Sequence, residues 1–142
     1  MAAVSMTAAD VRPLPGAITR RFTAGGTINA GQPVYLNSSG NAVRSDATDR
    51  AKSHVVGLAV ADNDGGTIFS SGDIIDVVVF GPVAGGSSLN EGSFAYCGTT
   101  AGGMEDGSPG SGNYKVIVGV PHADDILFVN PIPDSADTQL TS

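Results

Sequence analysis

Hydrophobic residues along this chain either alternate with polar ones or form short continuous runs. Residues 34–36 and 95–97 alternate, as the residues of a half-buried strand do. Almost continuous apolar runs occupy residues 74–80 and 126–129. Runs of this length are typical of the central strands of a sandwich or barrel. The pattern therefore predicts an all-β fold.

Short loops and one helical turn separate the predicted strands. Residues 38–41 and 98–103 are rich in Gly, Ser, Thr and Asn, and we expect each segment to close a hairpin. Residues 46–52 predict a single helical turn, with Asp46 as its N-cap and Asp49 near the positive end of its dipole.

The chain contains a similar unit twice. Four segments match in the same order: residues 27–35 with 88–96, Val43 with Met104, residues 55–58 with 117–120, and residues 73–77 with 125–129. Chance could produce one such match, but four in one order indicate a repeat. We interpret the chain as two copies of one β unit, about residues 27–80 and 88–131, packed face to face.

Three regions follow from this reading. Residues 1–21 are small, polar and marked by Pro13 and Pro15, and they predict an extended N-terminal arm. Residues 22–133 form the β domain, and residues 134–142 form a polar tail with no expected structure. The predicted architecture is a small β-barrel or sandwich built from two similar β units.

Composition agrees with this architecture. The 20 Gly and 8 Pro residues among 142 favour many short strands joined by tight turns over a helical bundle. Hydrophobic residues make up 41% of the chain, so a core can form. Because aromatics are only 6% and Trp is absent, aliphatic side chains must build that core.

Charge restricts the partners. The net charge is −7, which argues against nucleic acid because phosphates are neutralised by clustered Lys and Arg. Residues 1–52 nevertheless carry six of the seven basic residues, so one part of the molecule is basic and the rest acidic. No apolar run approaches the roughly 20 residues of a membrane span. The N-terminus also lacks signal-peptide features. We expect no membrane partner and synthesis in a cytoplasm.

Candidate catalytic residues are few. Cys97 is the only cysteine, which excludes an intrachain disulfide, and its strand position predicts a buried structural thiol. His54 is expected at the polar end of a strand. His122 precedes Asp124 and Asp125, but no nucleophile motif accompanies that pair. We expect no catalytic residues.

Two acidic segments could suggest a metal site. Residues 62–65 resemble the start of a calcium loop, but position twelve is Asp73 where the full pattern requires Glu. Glu105 and Asp106 lie in a Gly- and Ser-rich stretch, where we expect them to be solvated. We expect an acidic turn at residues 62–65, with no metal and no cofactor.

The same repeat residues carry a resemblance to bacteriophage capsid decoration proteins, also called head cement proteins. The similarity covers roughly residues 15–133 and rests on short Gly-bounded strand signatures in a characteristic order. These are residues 22–25, 30–36, 55–59, 89–96, 101–103, 114–119 and 127–131. The resemblance implies a non-enzymatic protein of the virion that binds the outer surface of an expanded capsid. It also implies bridging of major capsid protein subunits, self-association as a homotrimer, and an N-terminal arm that contacts the shell.

Two groups of residues are the candidate contacts. Prolines in the arm pre-set an extended backbone, apolar side chains could fill shallow pockets, and arginines could pair with carboxylates. The capsid-binding arm comprises Val11, Arg12, Pro13, Leu14, Pro15, Ile18, Arg20, Arg21 and Phe22. The predicted contact between copies comprises Ile126, Leu127, Phe128 and Val129.

Other classes remain open. A carbohydrate-binding or tail-fibre module of a virion is the main alternative, although its sugar platforms usually use exposed Trp. A biotinyl or lipoyl carrier is also a duplicated β structure, but it presents one Lys at a hairpin tip. Lys52 and Lys115 are predicted in a helical turn and at the start of a strand instead.

Overall fold

The computed structural model describes residues 3–132 and confirms the all-β class. Fourteen strands and two 3-10 turns, Ala8–Asp10 and Ala51–Ser53, make up the regular structure of this range. No helix within it is long and apolar enough to cross a membrane. The strands are β1 (Ser5–Met6), β2 (Arg12–Pro13), β3 (Ile18–Thr23), β4 (Ile28–Asn29), β5 (Pro33–Leu36), β6 (Ala42–Arg44), β7 (Gly57–Ala59), β8 (Ile68–Phe69), β9 (Ile74–Ala84), β10 (Gly86–Ser87), β11 (Ala95–Cys97), β12 (Met104–Glu105), β13 (Ile117–Ala123) and β14 (Ile126–Ile132).

The main sheet contains one strand pattern twice. Its strand order is β12-β11-β13-β14-β9-β7-β5-β6, with all of these pairs antiparallel. Read from either end toward the middle, each half is a hairpin, then a third strand, then a fourth strand that meets its counterpart. The two halves coincide with the two copies found in the sequence. The tail at residues 134–142 lies outside the described residues.

Two glycines, Gly57 and Gly119, show why the copies share a Val-Gly signature. A Cβ at Gly57 would collide with the carbonyl oxygen of Val78, and a Cβ at Gly119 would collide with that of Phe128. The neighbouring strand therefore approaches the backbone too closely for any side chain at either position. The same close approach occurs once in each copy.

Strand register corrects two of the sequence matches. Leu36 pairs with Ala42 and Cys97 pairs with Met104, so Ala42, rather than Val43, corresponds to Met104. The extra residue of the second copy therefore lies in the loop between β11 and β12. Likewise, Leu58 pairs with Val78 and Val120 with Phe128, which shifts the last match by two residues. A shift of two leaves each side chain on the same face, so the hydrophobic pattern does not reveal it.

Strand β9 joins the two halves. Its first part pairs with β3 and β7, and its last four residues pair with β14, with β2 alongside. Segment 45–47 then approaches the other end of the sheet: Ala47 N donates to Gly98 O at 2.8 Å, and Gly102 N donates to Ser45 O at 2.9 Å. The sheet is thus curled around a core of mostly aliphatic side chains, among them Leu58, Val77, Val118 and Leu127.

The segment predicted as an extended N-terminal arm packs against the body over its described residues. Val11 is fully buried, and Gly85 packs against its backbone so closely that a Cβ there would lie 2.8 Å from Val11 Cα. Ala61 N donates to Val11 O at 2.9 Å. Strand β3 adds six residues to the edge of β9. Residues 4–23 therefore stabilise the body as well as covering it.

The predicted helical turn at residues 46–52 is also wrong in extent. Only Ala51–Ser53 is helical, as a 3-10 turn. Asp46 Oδ1 instead accepts hydrogen bonds from the amide and hydroxyl of Thr48. Arg50 is the N-cap residue of this turn, and Asp49 Oδ1 accepts from Ala51 N at 3.0 Å and from Lys52 N at 3.3 Å beside it. Two Asx-type contacts compete with a longer helix here.

Candidate binding surface

An exposed row of apolar and aromatic side chains crosses the outer face of the sheet. Ile18 on β3 pairs with Phe80 on β9, and both side chains are more than 40% exposed. The Phe80 ring meets Phe128 on β14 edge-on, with centroids 5.1 Å apart. His122 on β13 stacks on Phe128 at 4.8 Å. We call Ile18, Phe80, Phe128 and His122 the outer row.

Strand alternation explains how the sequence produces this row. Leu127 and Val129 are fully buried, so Phe128 between them points to the opposite face of β14. Phe80 precedes Gly81, whose φ of 113° and contact with the Ala17 backbone turn the strand as it passes from one half of the sheet to the other. The row thus crosses the junction of the two halves.

Only two of the four residues predicted to contact another copy have exposed surface. Leu127 and Val129 have no exposed surface and belong to the core. Ile126 and Phe128 are half-buried and face outward. Moreover, β14 pairs with β13 on one side and β9 on the other, so its backbone offers no free edge. The apolar run predicted a contact strand, but it is a central strand of the sheet.

The predicted capsid-binding arm divides in the same way. Val11 is buried and cannot contact a partner. Leu14 and Phe22 are half-buried, and the remaining predicted residues are exposed. These exposed residues are Arg12, Pro13, Pro15, Ile18, Arg20 and Arg21. The structure brings Ile18 from the arm together with Phe128 from the predicted contact strand, whereas sequence reasoning had assigned them to separate surfaces.

Phe80 and His122 were missed as surface residues. The continuous apolar run at residues 74–80 suggested that Phe80 is buried, and His122 was considered only as a partner of Asp124 and Asp125. Their contribution depends on the pairing of β9 and β14, where Phe128 pairs with Pro82. That pairing joins two distant segments of the chain, and no local pattern encodes it.

Basic side chains lie beside the row on β3. Arg20 and Arg21 are exposed, and Arg21 Nε forms an ion pair with Asp76 Oδ1 at 3.2 Å. At 74% side-chain exposure Arg21 remains largely solvated, so this pair contributes little stability. Arg20 faces the same solvent without a described carboxylate partner.

Two shallow clefts adjoin the acidic turn at residues 62–65. The larger, of about 410 Å³, is lined by Ala9, Arg12, Pro13 and the turn, and the smaller, of about 220 Å³, reaches Arg21 and Asp76. Asp62 Oδ1 accepts from Asp64 N at 2.8 Å and Gly66 N at 3.0 Å. The carboxylate therefore holds its own turn together.

The remaining candidate groups are scattered. Cys97 is buried and its Sγ lies 3.5 Å from Ser45 Oγ. Burial raises the pKa of the Cys97 thiol to about 11, and the Ser45 hydrogen bond only partly opposes this. His54 and His122 are exposed on different strands or turns. In the described part of the chain, no three His, Cys, Asp or Glu side chains come close enough to hold a metal ion.

The acidic pair at Glu105 and Asp106 differs from its expected setting. Glu105 belongs to β12, opposite Tyr96, and its Oε2 atom is buried without a hydrogen-bond partner among residues 3–132. It is therefore a half-buried strand residue and not a solvated loop residue.

No protein-family model matches the chain, and no curated protein matches it.

Proposed function

We propose that this protein is a capsid decoration protein, which binds the outer surface of an expanded phage head and bridges major capsid protein subunits. The resemblance of residues 15–133 to decoration proteins supports this role. The observation that carries the proposal is the outer row, because an exposed apolar row that spans both halves of a small sheet is suited to docking. The protein would act by binding alone, without catalysis or a cofactor.

The test is co-sedimentation of the purified protein with expanded, undecorated shells of major capsid protein. Phe80→Ser and Ile18→Ser remove apolar contacts from the outer row, and we expect each to reduce binding at least tenfold. Because apolar burial is not screened by ions, the loss should persist at high salt. Ile68→Ser is the matched control, since Ile68 is 70% exposed on β8 and lies outside the row.

If all three variants sediment like the unmodified protein, the outer row is not the docking surface. If the unmodified protein stays in the supernatant under all salt conditions, the decoration function itself is wrong.

We also propose self-association, as a homotrimer, on the basis of the resemblance. Ile126 and Phe128 are the residues of the predicted contact that face outward. Sedimentation equilibrium should give a mass three times the 14.2 kDa of the chain. A single species at 14.2 kDa throughout the micromolar range would refute the trimer.

A carbohydrate-binding module of the virion is the second candidate. Phe80 meets Phe128 edge-on and His122 stacks on Phe128, so the three rings form an aromatic cluster of the kind on which sugar rings pack. A glycan array separates the two functions. Binding to a defined glycan, lost in Phe80→Ser, together with no binding to shells, would favour this alternative.

A further inference from the structure

Strand β3 is an open edge of the main sheet. Along its own length it pairs, among the described strands, with β9 alone, and only directly after it, at Ala24, does the chain bridge to Ala42 of β6. Five of its six residues are exposed. An open edge of this length presents unpaired backbone groups that another extended chain can bind.

Backbone geometry identifies which groups are open. Ala24 N donates to Asp73 O at 2.7 Å, which marks this as a hydrogen-bonded pair of the ladder. Because such pairs alternate along an antiparallel ladder, Phe22 and Arg20 also direct their N–H and C=O groups toward β9. The backbone groups of Thr19, Arg21 and Thr23 then point away from β9. The Ala24–Ala42 bridge, in which Gly25 N donates to Ala42 O at 2.7 Å, covers the Thr23 end, so the open outward groups are those of Thr19 and Arg21.

The charges along β3 indicate what kind of segment can bind at this edge. Arg20 and Arg21 are its exposed ionised side chains, and β3 has no acidic residue. Two copies of β3 pairing with each other would bring four arginines together, which disfavours a second copy of this chain. Asp76 already pairs with Arg21, and Asp62 and Asp64 line the adjoining cleft. Arg20 is therefore the side chain that is open to a carboxylate from outside.

We propose that β3 is a docking strand for an extended acidic segment of a partner protein, which adds to the sheet at this edge. Side chains two residues apart lie on the same face of a strand, so Arg20 and Phe22 would both contact side chains on one face of the bound segment. The segment therefore carries a carboxylate opposite Arg20 and an apolar residue two positions away. The inference does not depend on which protein supplies the segment or on the proposed function.

The test uses the full-length 15N-labelled protein and a synthetic peptide, acetyl-Thr-Val-Thr-Glu-Thr-Val-Thr-amide. It places one carboxylate between two apolar residues, each two positions away. A peptide of the same composition with Glu moved by one position, and a peptide with Lys in place of Glu, are the controls. We expect the first peptide to shift the NMR signals of Thr19 and Arg21 and to slow exchange of their amide hydrogens.

Three variants separate charge from backbone pairing. Arg20→Glu should weaken binding of the Glu peptide about fivefold, since exposed ion pairs are individually modest, and should favour the Lys peptide. Thr19→Pro removes an outward N–H without breaking the ladder to β9, and it should abolish slowed exchange at the edge. Thr19→Val keeps that N–H and should bind normally.

Three results would overturn the inference. Slow exchange of the Thr19 and Arg21 amides in the free protein would mean that this chain covers its own edge, or that a second copy does so if the protection depends on concentration. Equal binding of the Glu peptide and its shifted control would remove the predicted pattern. Signal shifts confined to other strands would place binding elsewhere. If the peptide binds as predicted but the protein does not bind shells, the docking strand is supported and the decoration function is refuted.

Discussion

Replacing Val11 by Ala tests whether the N-terminal segment is part of the folded body. The side chain is fully buried against the backbones around Gly31 and Gly85. Loss of its two methyl groups forfeits about 1.6 kcal/mol of transfer free energy. The cavity that remains raises the total to about 2–3 kcal/mol, because the close glycine backbones cannot collapse into it.

This loss of stability predicts a decrease in the melting temperature. A 142-residue domain has an unfolding entropy of about 0.3 kcal/mol/K, so Val11→Ala should lower Tm by roughly 7–10 °C. Differential scanning calorimetry measures the change directly. Ile18→Ala is the control in the same segment, and because Ile18 is 48% exposed we expect a loss of at most about 1 kcal/mol.

An unchanged Tm for Val11→Ala would refute the reasoning, since it would mean that residues 1–21 do not contribute to the fold. Deletion of residues 1–21 provides the second measurement. It removes Val11 and most of β3, and we expect cooperative unfolding to be lost or strongly weakened. A truncated protein that melts like the full chain would instead support a separable arm.

Three further predictions concern the core and the acidic turn. Gly57→Ala and Gly119→Ala should each lower the free energy of unfolding, measured in urea titrations, by more than about 2 kcal/mol, because the added Cβ meets a carbonyl oxygen. Gly26→Ala is the control and should be nearly neutral, since open space surrounds Gly26. Equal stability of all three variants would refute the close approach of the strands. The Cys97 thiol should resist an aromatic disulfide reagent at pH 8 in the folded protein. Its pKa of about 11 in the folded protein exceeds the ordinary 9.0, so the thiol loses its proton first in the unfolded state and the free energy of unfolding should fall between pH 9 and 11. A Cys97→Ala variant should lack that contribution to the pH dependence. Melting curves in EDTA and in millimolar calcium should superimpose, since the Asp62 carboxylate is engaged in its own turn, and a calcium-dependent rise of several degrees would contradict this.

The sequence was sufficient for the fold class and the duplication, because both depend on local patterns. Alternation and apolar runs mark strands wherever one face is buried. The Val-Gly signature at Gly57 and Gly119 repeats because the same close strand approach occurs twice. The pairing register of the strands could not be predicted from these patterns, since a shift of two residues leaves every side chain on its original face.

The candidate surface was predictable only in part. Ile18 was identified as a contact residue, but its neighbour Phe80 was not, because that contact depends on the pairing of β3 with β9. The run at residues 126–129 was predicted both as a central strand and as a contact between copies; β14 is central, and its burial of Leu127 and Val129 leaves only Ile126 and Phe128 for a contact. Likewise, two prolines suggested a free arm, although Val11 between Asp10 and Arg12 is a core residue.

The most direct test of the decoration function is a cryo-electron map of expanded shells incubated with this protein. We predict additional density on the outer surface, bridging neighbouring capsid subunits, with the outer row of Ile18, Phe80 and Phe128 at the contact. The same shells incubated with Phe80→Ser should show weaker density or none. Shells that remain bare after incubation with saturating unmodified protein would contradict the proposed function.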